Sequence, residues 1–142
     1  MKALSLLGVL VSFSAFSSTC PEISGDYICQ RGGTVEHHSI EKTDTGYVVT
    51  TAGGVMEYRT DKVTYPSFET EGVRDTKITA YCEKKTKFII DFSGMIIDGD
   101  LDLGRIQSKS EYTLKGENLT FTQKIKMKGL PMPGVNLTCT KA

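Results

Sequence analysis

The sequence predicts an all-β fold: an antiparallel up-and-down meander of about eight to ten strands that closes into a small, disulfide-stapled barrel. Three observations predict it: apolar and polar residues alternate along much of the chain, 14 glycines punctuate it, and it contains four cysteines. A period of two is typical of half-buried strands, whereas helices repeat at three and four residues. Closure removes the two exposed edges of such a sheet, which favours a barrel over the alternative, a two-sheet sandwich.

The first element is an export signal over residues 1–17, MKALSLLGVLVSFSAFS. Lys2 supplies the positive start, an uncharged apolar run follows, and Ala15 and Ser17 form a small-x-small cleavage site. The apolar run is too short to span a bilayer, which needs about 20 residues. We therefore expect cleavage after Ser17, a single lipocalin-like domain over residues 18–142, and a periplasmic or secreted location.

The strands follow from the alternation and the turn residues between them. The clearest pair is EYTLKGENLTFTQ, in which Tyr112 and Leu114 share one face, residues 115–118 form the turn, and Leu119 and Phe121 return on one face. The segment 62–75 is predicted to be the longest irregular connection, a candidate flap. The predicted strands lie near residues 25–31, 34–42, 46–51, 55–61, 76–83, 86–93, 95–103, 106–115, 118–127 and 134–140.

All four cysteines lie after the predicted cleavage site. An even number of cysteines in an oxidising compartment favours disulfides, here two. Strand parity places Cys29, Cys82 and Cys139 on apolar, inward faces. The first and last strands are neighbours in a closed meander, so we expect a Cys29–Cys139 bond. Cys20, on the segment that enters the barrel, is then expected to bond to Cys82.

Two short patterns resemble the calycin barrels, the group of lipocalins, fatty-acid-binding proteins and avidins. Gly25-Asp26-Tyr27 on the first strand is similar to the Gly-x-Trp opening of these barrels, and a cysteine just before that opening resembles the avidin arrangement. The hairpin of residues 112–121 is similar to late hairpins of small lipocalin-like domains. The resemblance implies a barrel fold. The resemblance does not indicate a ligand, because biotin binding of the avidin type uses stacked tryptophans and the chain has no Trp.

Aromatic and apolar residues on the inward faces are the candidate ligand contacts. At this strand number, a barrel interior is either filled by side chains or holds one small ligand. We expect an exported, non-enzymatic binding protein that holds a small apolar ligand. The predicted ligand-binding residues are Tyr27, Met56, Tyr58, Phe88, Phe92, Tyr112 and Phe121.

No set of residues in the sequence predicts catalysis, a metal site or a cofactor. His37 and His38 are the only histidines, and adjacent strand residues point to opposite faces, so the two cannot share one site. Asp98, Asp100 and Asp102 alternate as in an EF-hand loop, but the Gly and Glu that such a loop requires are absent, which favours a strand with a charged face.

Charge and hydropathy argue against nucleic acid as a partner and against a membrane span. The chain carries 17 basic and 17 acidic residues, and no basic patch stands out, so we expect no nucleic-acid partner. After the N-terminal signal no apolar segment is long enough to span a membrane.

The alternative function is a protein–protein inhibitor. Tyr27-Ile-Cys29-x-x-Gly32 resembles the opening of the small barrel inhibitors of c-type lysozyme. Residues 52–58 or 62–75 would then form the loop that contacts the partner. An open interior would favour the binding protein, and a filled barrel with a protruding loop would favour the inhibitor.

Overall fold

The computed structural model describes residues 20–142, and the predicted export signal lies outside this range. Every regular element in it is a β-strand, so the described residues contain no helix able to cross a membrane. The strands are β1 Gly25–Arg31, β2 Thr34–Lys42, β3 Gly46–Thr51, β4 Gly54–Arg59, β5 Thr64–Pro66, β6 Val73–Glu83, β7 Lys87–Asp98, β8 Leu101–Lys115, β9 Asn118–Met127 and β10 Leu130–Lys141.

The ten strands form one antiparallel sheet that curls into a half-barrel. Its order is β4-β3-β2-β1-β10-β9-β8-β7-β6-β5, so the first strand pairs with the last. This confirms the predicted all-β meander. It also confirms that the first and last strands are neighbours; we call their junction the seam. The pairing joins two runs of consecutive strands, β1–β4 and β5–β10, into a single sheet.

The two sheet edges are β4 and β5, although these strands are consecutive in the chain. Within residues 20–142 no strand ladder joins them; the connecting segment instead bonds to β6, where the Lys62 amide donates to the Ala80 carbonyl at 3.0 Å. β5 has only three residues and ends at Pro66, which has no N–H to donate. The half-barrel therefore has its gap at β4 and β5 and not at the seam of first and last strands.

Three of the predicted strands, 86–93, 95–103 and 106–115, are in fact two longer strands, β7 and β8. Their turn lies at Gly99 and Asp100, where Gly99 has φ +60°, as the first position of a type II′ hairpin turn requires. Gly94 does not end a strand: a Cβ there would meet Val73 Cγ1 at 2.9 Å, so glycine allows β6 and β7 to pack closely. Gly104 lies at a β-bulge.

The predicted irregular connection 62–75 is only partly irregular. β5 lies within it and pairs with β6, which begins at Val73 and not near residue 76. The remaining loop, residues 67–72, is tied to β6 because the Thr76 hydroxyl donates to the Phe68 carbonyl at 2.7 Å. The sequence interpretation missed β5 because a three-residue edge strand that ends in proline has no alternation to detect. β10 likewise begins earlier than predicted, at Leu130.

The entry segment, residues 20–24, closes one end of the half-barrel. Pro21 and Ile23 are fully buried there. The Tyr27 hydroxyl donates to the Ile23 carbonyl at 3.0 Å, and the Tyr47 hydroxyl donates to the Pro21 carbonyl. Burial raises the pKa of Tyr47, which keeps its hydroxyl a donor. Both main-chain carbonyls are therefore satisfied although they lie in the core.

Both predicted disulfides are present. Cys29 and Cys139 lie directly opposite each other on β1 and β10, with Cα atoms 3.9 Å apart. Cys20 bonds to Cys82 on β6, with Cα atoms 5.1 Å apart. The strand-parity argument is confirmed for the seam bond. Two disulfides are compatible with an oxidising compartment.

We predict that the seam disulfide contributes more stability than the entry disulfide. The bonds span 110 and 62 residues, for which loop-closure entropy gives upper figures of about 4.8 and about 4.3 kcal/mol. Cys29 and Cys139 are also fully buried, so the Cys29→Ser/Cys139→Ser variant leaves hydroxyls in the core.

The measurement is urea unfolding of this double variant beside Cys20→Ser/Cys82→Ser. Because each variant replaces both cysteines of one bond, neither leaves a free thiol. The expected result is a lower midpoint for the seam variant; an equal or lower midpoint for the entry variant contradicts the prediction.

Candidate functional site

The half of the barrel interior that faces away from the entry segment is open. A hollow of about 300 Å³ lies between β2–β4 and β7–β10. A second hollow of about 320 Å³ adjoins it. Both are lined by Met56, Tyr58, Ile90, Ser110 and Gln123, so they are neighbours inside the sheet, and we call the two together the interior cleft. Each hollow has the size at which small-molecule pockets begin.

Strand alternation determines which side chains line the cleft. On β8, Ser108, Ser110 and Tyr112 face inward, whereas Gln107 and Lys109, on either side of Ser108, are exposed. The inward faces of β4 and β9 contribute in the same way. Towards the open end, the inward residues of β8 are Tyr112, the small residues Ser110 and Ser108, and then Ile106. The two serines leave space that larger side chains would fill.

Most of the predicted ligand-binding residues lie around the cleft. Those that line it are Met56, Tyr58, Phe92, Tyr112 and Phe121. The other two, Tyr27 and Phe88, are buried in the core at the closed end and do not line the interior cleft. All seven face inward, as strand parity predicts. Their position along the barrel axis decides whether they line the cleft or are buried in the core.

Phe88 forms the centre of the aromatic floor beneath the cleft. Its ring centroid lies 4.4 Å from that of Tyr47 and 5.9 Å from that of Tyr58. Tyr112 stacks on it at 5.9 Å with an interplanar angle of 10°. Such pairs stabilise beyond the area they bury. The floor therefore separates a packed half of the barrel from the open half.

A polar chain of Glu36, His38 and Tyr112 lies in the wall of the first hollow. His38 is buried; its Nδ1 lies 2.8 Å from the Tyr112 hydroxyl and its Nε2 lies 3.0 Å from Glu36 Oε2. Burial raises the pKa of Tyr112, so its hydroxyl donates to Nδ1, and Nε2–H then donates to the carboxylate. Both ring nitrogens of His38 are thus engaged, and Glu36 is held in position.

The sequence interpretation did not assign Glu36 and His38 to the site. Their signal was the alternation Glu36-x-His38-x-Ile40, in which buried Ile40 marks the inward face. The predicted opposition of the two histidines is confirmed, because His37 is exposed and His38 is buried. Ser110 and Gln123 were also missed; the Gln123 amide donates to the Ser110 hydroxyl at 3.2 Å inside the cleft.

The aspartates at 98–102 lie at the β7–β8 hairpin. Asp98 ends β7, Asp100 is in the turn, and Asp102 Oδ1 accepts a hydrogen bond from the Gly104 amide at 2.8 Å. In the described part of the chain, no three His, Cys, Asp or Glu side chains are grouped so that they could hold a metal ion. The turn corrects the interpretation of this stretch as one continuous strand.

Large apolar side chains are exposed near the turns at the open end of the sheet. In an up-and-down meander the turns that follow odd-numbered strands lie at one end, here the open end. Large apolar side chains that are exposed at or beside these turns are Val35, Val55, Phe68, Leu101 and Leu130. A lateral hollow of about 470 Å³ opens beside the gap between β4 and β5, and Phe68 lines both this hollow and the cleft. The cleft is thus open at its end and at its side.

No known protein family, curated protein or solved structure matches this chain.

We predict that Tyr112→Phe destabilises the fold by about 1–3 kcal/mol, because it leaves the buried His38 Nδ1 without its donor. The phenyl ring keeps the contact with Phe88, so packing changes little. The control is Tyr65→Phe, which removes an exposed tyrosine hydroxyl that bonds to Asp61 and should change the free energy of unfolding much less. Urea unfolding measures both; equal effects would contradict the buried hydrogen-bond chain.

Proposed function

We propose that this is an exported binding protein that holds a small, mainly apolar ligand in the interior cleft and does not convert it chemically. The observation that carries the proposal is the open half of the barrel: a cleft with mainly apolar walls above a packed aromatic floor. Ligand pockets are typically concave and mostly apolar, with a few polar groups that orient the ligand.

The walls suit a hydrocarbon or aromatic ligand. Met56, Ile90 and Phe92 present apolar surface, and burial of such surface is worth about 25 cal/mol per Å². The serine hydroxyls of β8 and the Gln123 amide offer polar contacts on one side. Shape and burial would hold the body of the ligand, and these groups would orient its polar end.

Non-enzymatic binding is favoured by the state of the polar chain. A hydroxyl acts as a nucleophile when a base lowers its effective pKa, but burial raises the pKa of Tyr112. His38 is engaged on both nitrogens and deeply buried. The hydrogen bonds of Tyr112 and His38 therefore have the character of a structural support for Glu36.

Export is supported by the two disulfides and the signal-like residues 1–17. No contribution from nucleic acid is expected for a chain with balanced charge.

The inhibitor remains the alternative proposal, and the two segments it would use distinguish it. Residues 52–58 consist mostly of β4, whose inward side chains Met56 and Tyr58 line the cleft. Residues 62–75 contain β5 and the start of β6, and Phe68 between them also faces the cleft. This arrangement favours a ligand site over a protruding loop. Native mass spectrometry of protein from its own cell envelope would reveal either a small ligand or a protein partner.

We predict that Ser108→Phe weakens binding of the neutral probe N-phenyl-1-naphthylamine at least about tenfold, equivalent to about 1.4 kcal/mol. The added ring would occupy the cleft, which Ser108 lines. The chain has no Trp, so probe fluorescence is measured without interference from indole.

Gln107→Phe is the matched control, since it places the same ring one residue away on the exposed face, where Gln107 lines another hollow of about 480 Å³. Thermal unfolding of both variants checks that each is folded. Absence of probe binding by the unaltered protein, or equal weakening by both substitutions, would count against the interior cleft as a ligand site.

A further inference from the structure

The interior cleft has an asymmetric charge. Among the described residues that line its two hollows, Glu36 is the one carboxylate, and none is a lysine or an arginine. The nearest cation along β1, Arg31, is directed at the Gly134 carbonyl at 3.4 Å. The lateral hollow beside the β4–β5 gap adds one charge of each sign, Glu57 and Arg59. Within the two hollows of the cleft, an anionic ligand would meet a carboxylate and no counter-charge, whereas a cationic ligand would find a carboxylate as its counter-charge.

Glu36 is held ready to accept a further hydrogen bond. Its Oε2 accepts from His38 Nε2, and its side chain is 42% exposed, so the carboxylate lies at the boundary of the hollow. Among the described residues, no hydrogen bond is made by Oε1. Because His38 is itself fixed by Tyr112, the carboxylate loses little freedom when a ligand binds.

Aromatic rings surround the same hollow. Tyr58, Tyr112 and Phe121 all line it together with Glu36. Ring faces attract cations through their quadrupole, and this attraction grows when the cation is desolvated. A carboxylate beside aromatic walls is a chemically suitable environment for an alkylammonium group.

We propose that the natural ligand is a cationic amphiphile, an amine with an apolar body. Its nitrogen binds Glu36 among the aromatic rings of the first hollow, and its apolar body extends along Ile90 and Ile125 in the second. This inference rests on the proposed function, because it specifies the ligand class of the same cleft.

The test is competition against N-phenyl-1-naphthylamine by three decyl compounds that differ only in the head group: decylamine, decanol and decanoate, each below its aggregation concentration. Decylamine is expected to bind most tightly and decanoate most weakly. Glu36→Gln should weaken decylamine about tenfold, the effect expected for loss of a hydrogen bond to a charged group, and leave decanol unchanged. The glutamine carbonyl can still accept from His38, so the polar chain is preserved.

Glu41→Gln is the matched control: it removes the same charge from the opposite, exposed face of β2 and should change none of the three affinities. Decanoate binding as tightly as decylamine, or Glu36→Gln leaving decylamine unchanged, would overturn the amine inference while binding in the cleft stands. If neither the probe nor any decyl compound binds, the proposed function itself is overturned.

Discussion

The pairing of β1 with β10 is the constraint on which the rest of the structure depends. It is the one ladder in the described chain that joins the run β1–β4 to the run β5–β10, since β4 and β5 do not pair. The Cys29–Cys139 bond lies within this ladder, at residues directly opposite each other. The ladder makes one curled sheet out of two meanders, and the covalent bond within it stabilises that joint.

The second disulfide acts across the curl. Cys20 precedes β1, and Cys82 lies near the end of β6, on the far side of the seam. The bond anchors the entry segment, so that Pro21 and Ile23 fill the end of the barrel. The β4–β5 gap can stay open because the curl is held by the seam, the entry segment and the buried aromatic residues instead of by a closed ladder.

The distribution of large and small side chains explains why one end of the barrel is filled and the other is open. Tyr27, Tyr47 and Phe88 concentrate volume near the entry segment, whereas Ser108 and Ser110 leave space above. A protein interior is close-packed wherever large side chains meet, and a cleft persists where small ones face each other. Tyr112 and His38 are both buried, and a hydrogen bond is electrostatically stronger in such surroundings than in water.

Part of the site could be predicted from alternation. Met56, Tyr58 and Phe121 follow from strand parity, because a period of two assigns each residue to a face. Parity says nothing about height along the barrel, and for that reason Tyr27 and Phe88 were grouped with the lining. The alternation with Ile40 marks the face of Glu36 and His38, but their role was missed because their partner Tyr112 lies on a distant strand.

The sequence by itself determined the strand class, most turns and both disulfides, because these depend on local alternation, glycine chemistry and the parity of cysteines. Only the tertiary structure decided that β7 and β8 are continuous, that the gap lies at β4 and β5, and that half of the interior is open. These features depend on contacts between residues far apart in the chain, such as Gly94 with Val73 or His38 with Tyr112. Local periodicity does not encode such contacts, since they arise only when the sheet curls and brings its inner faces together.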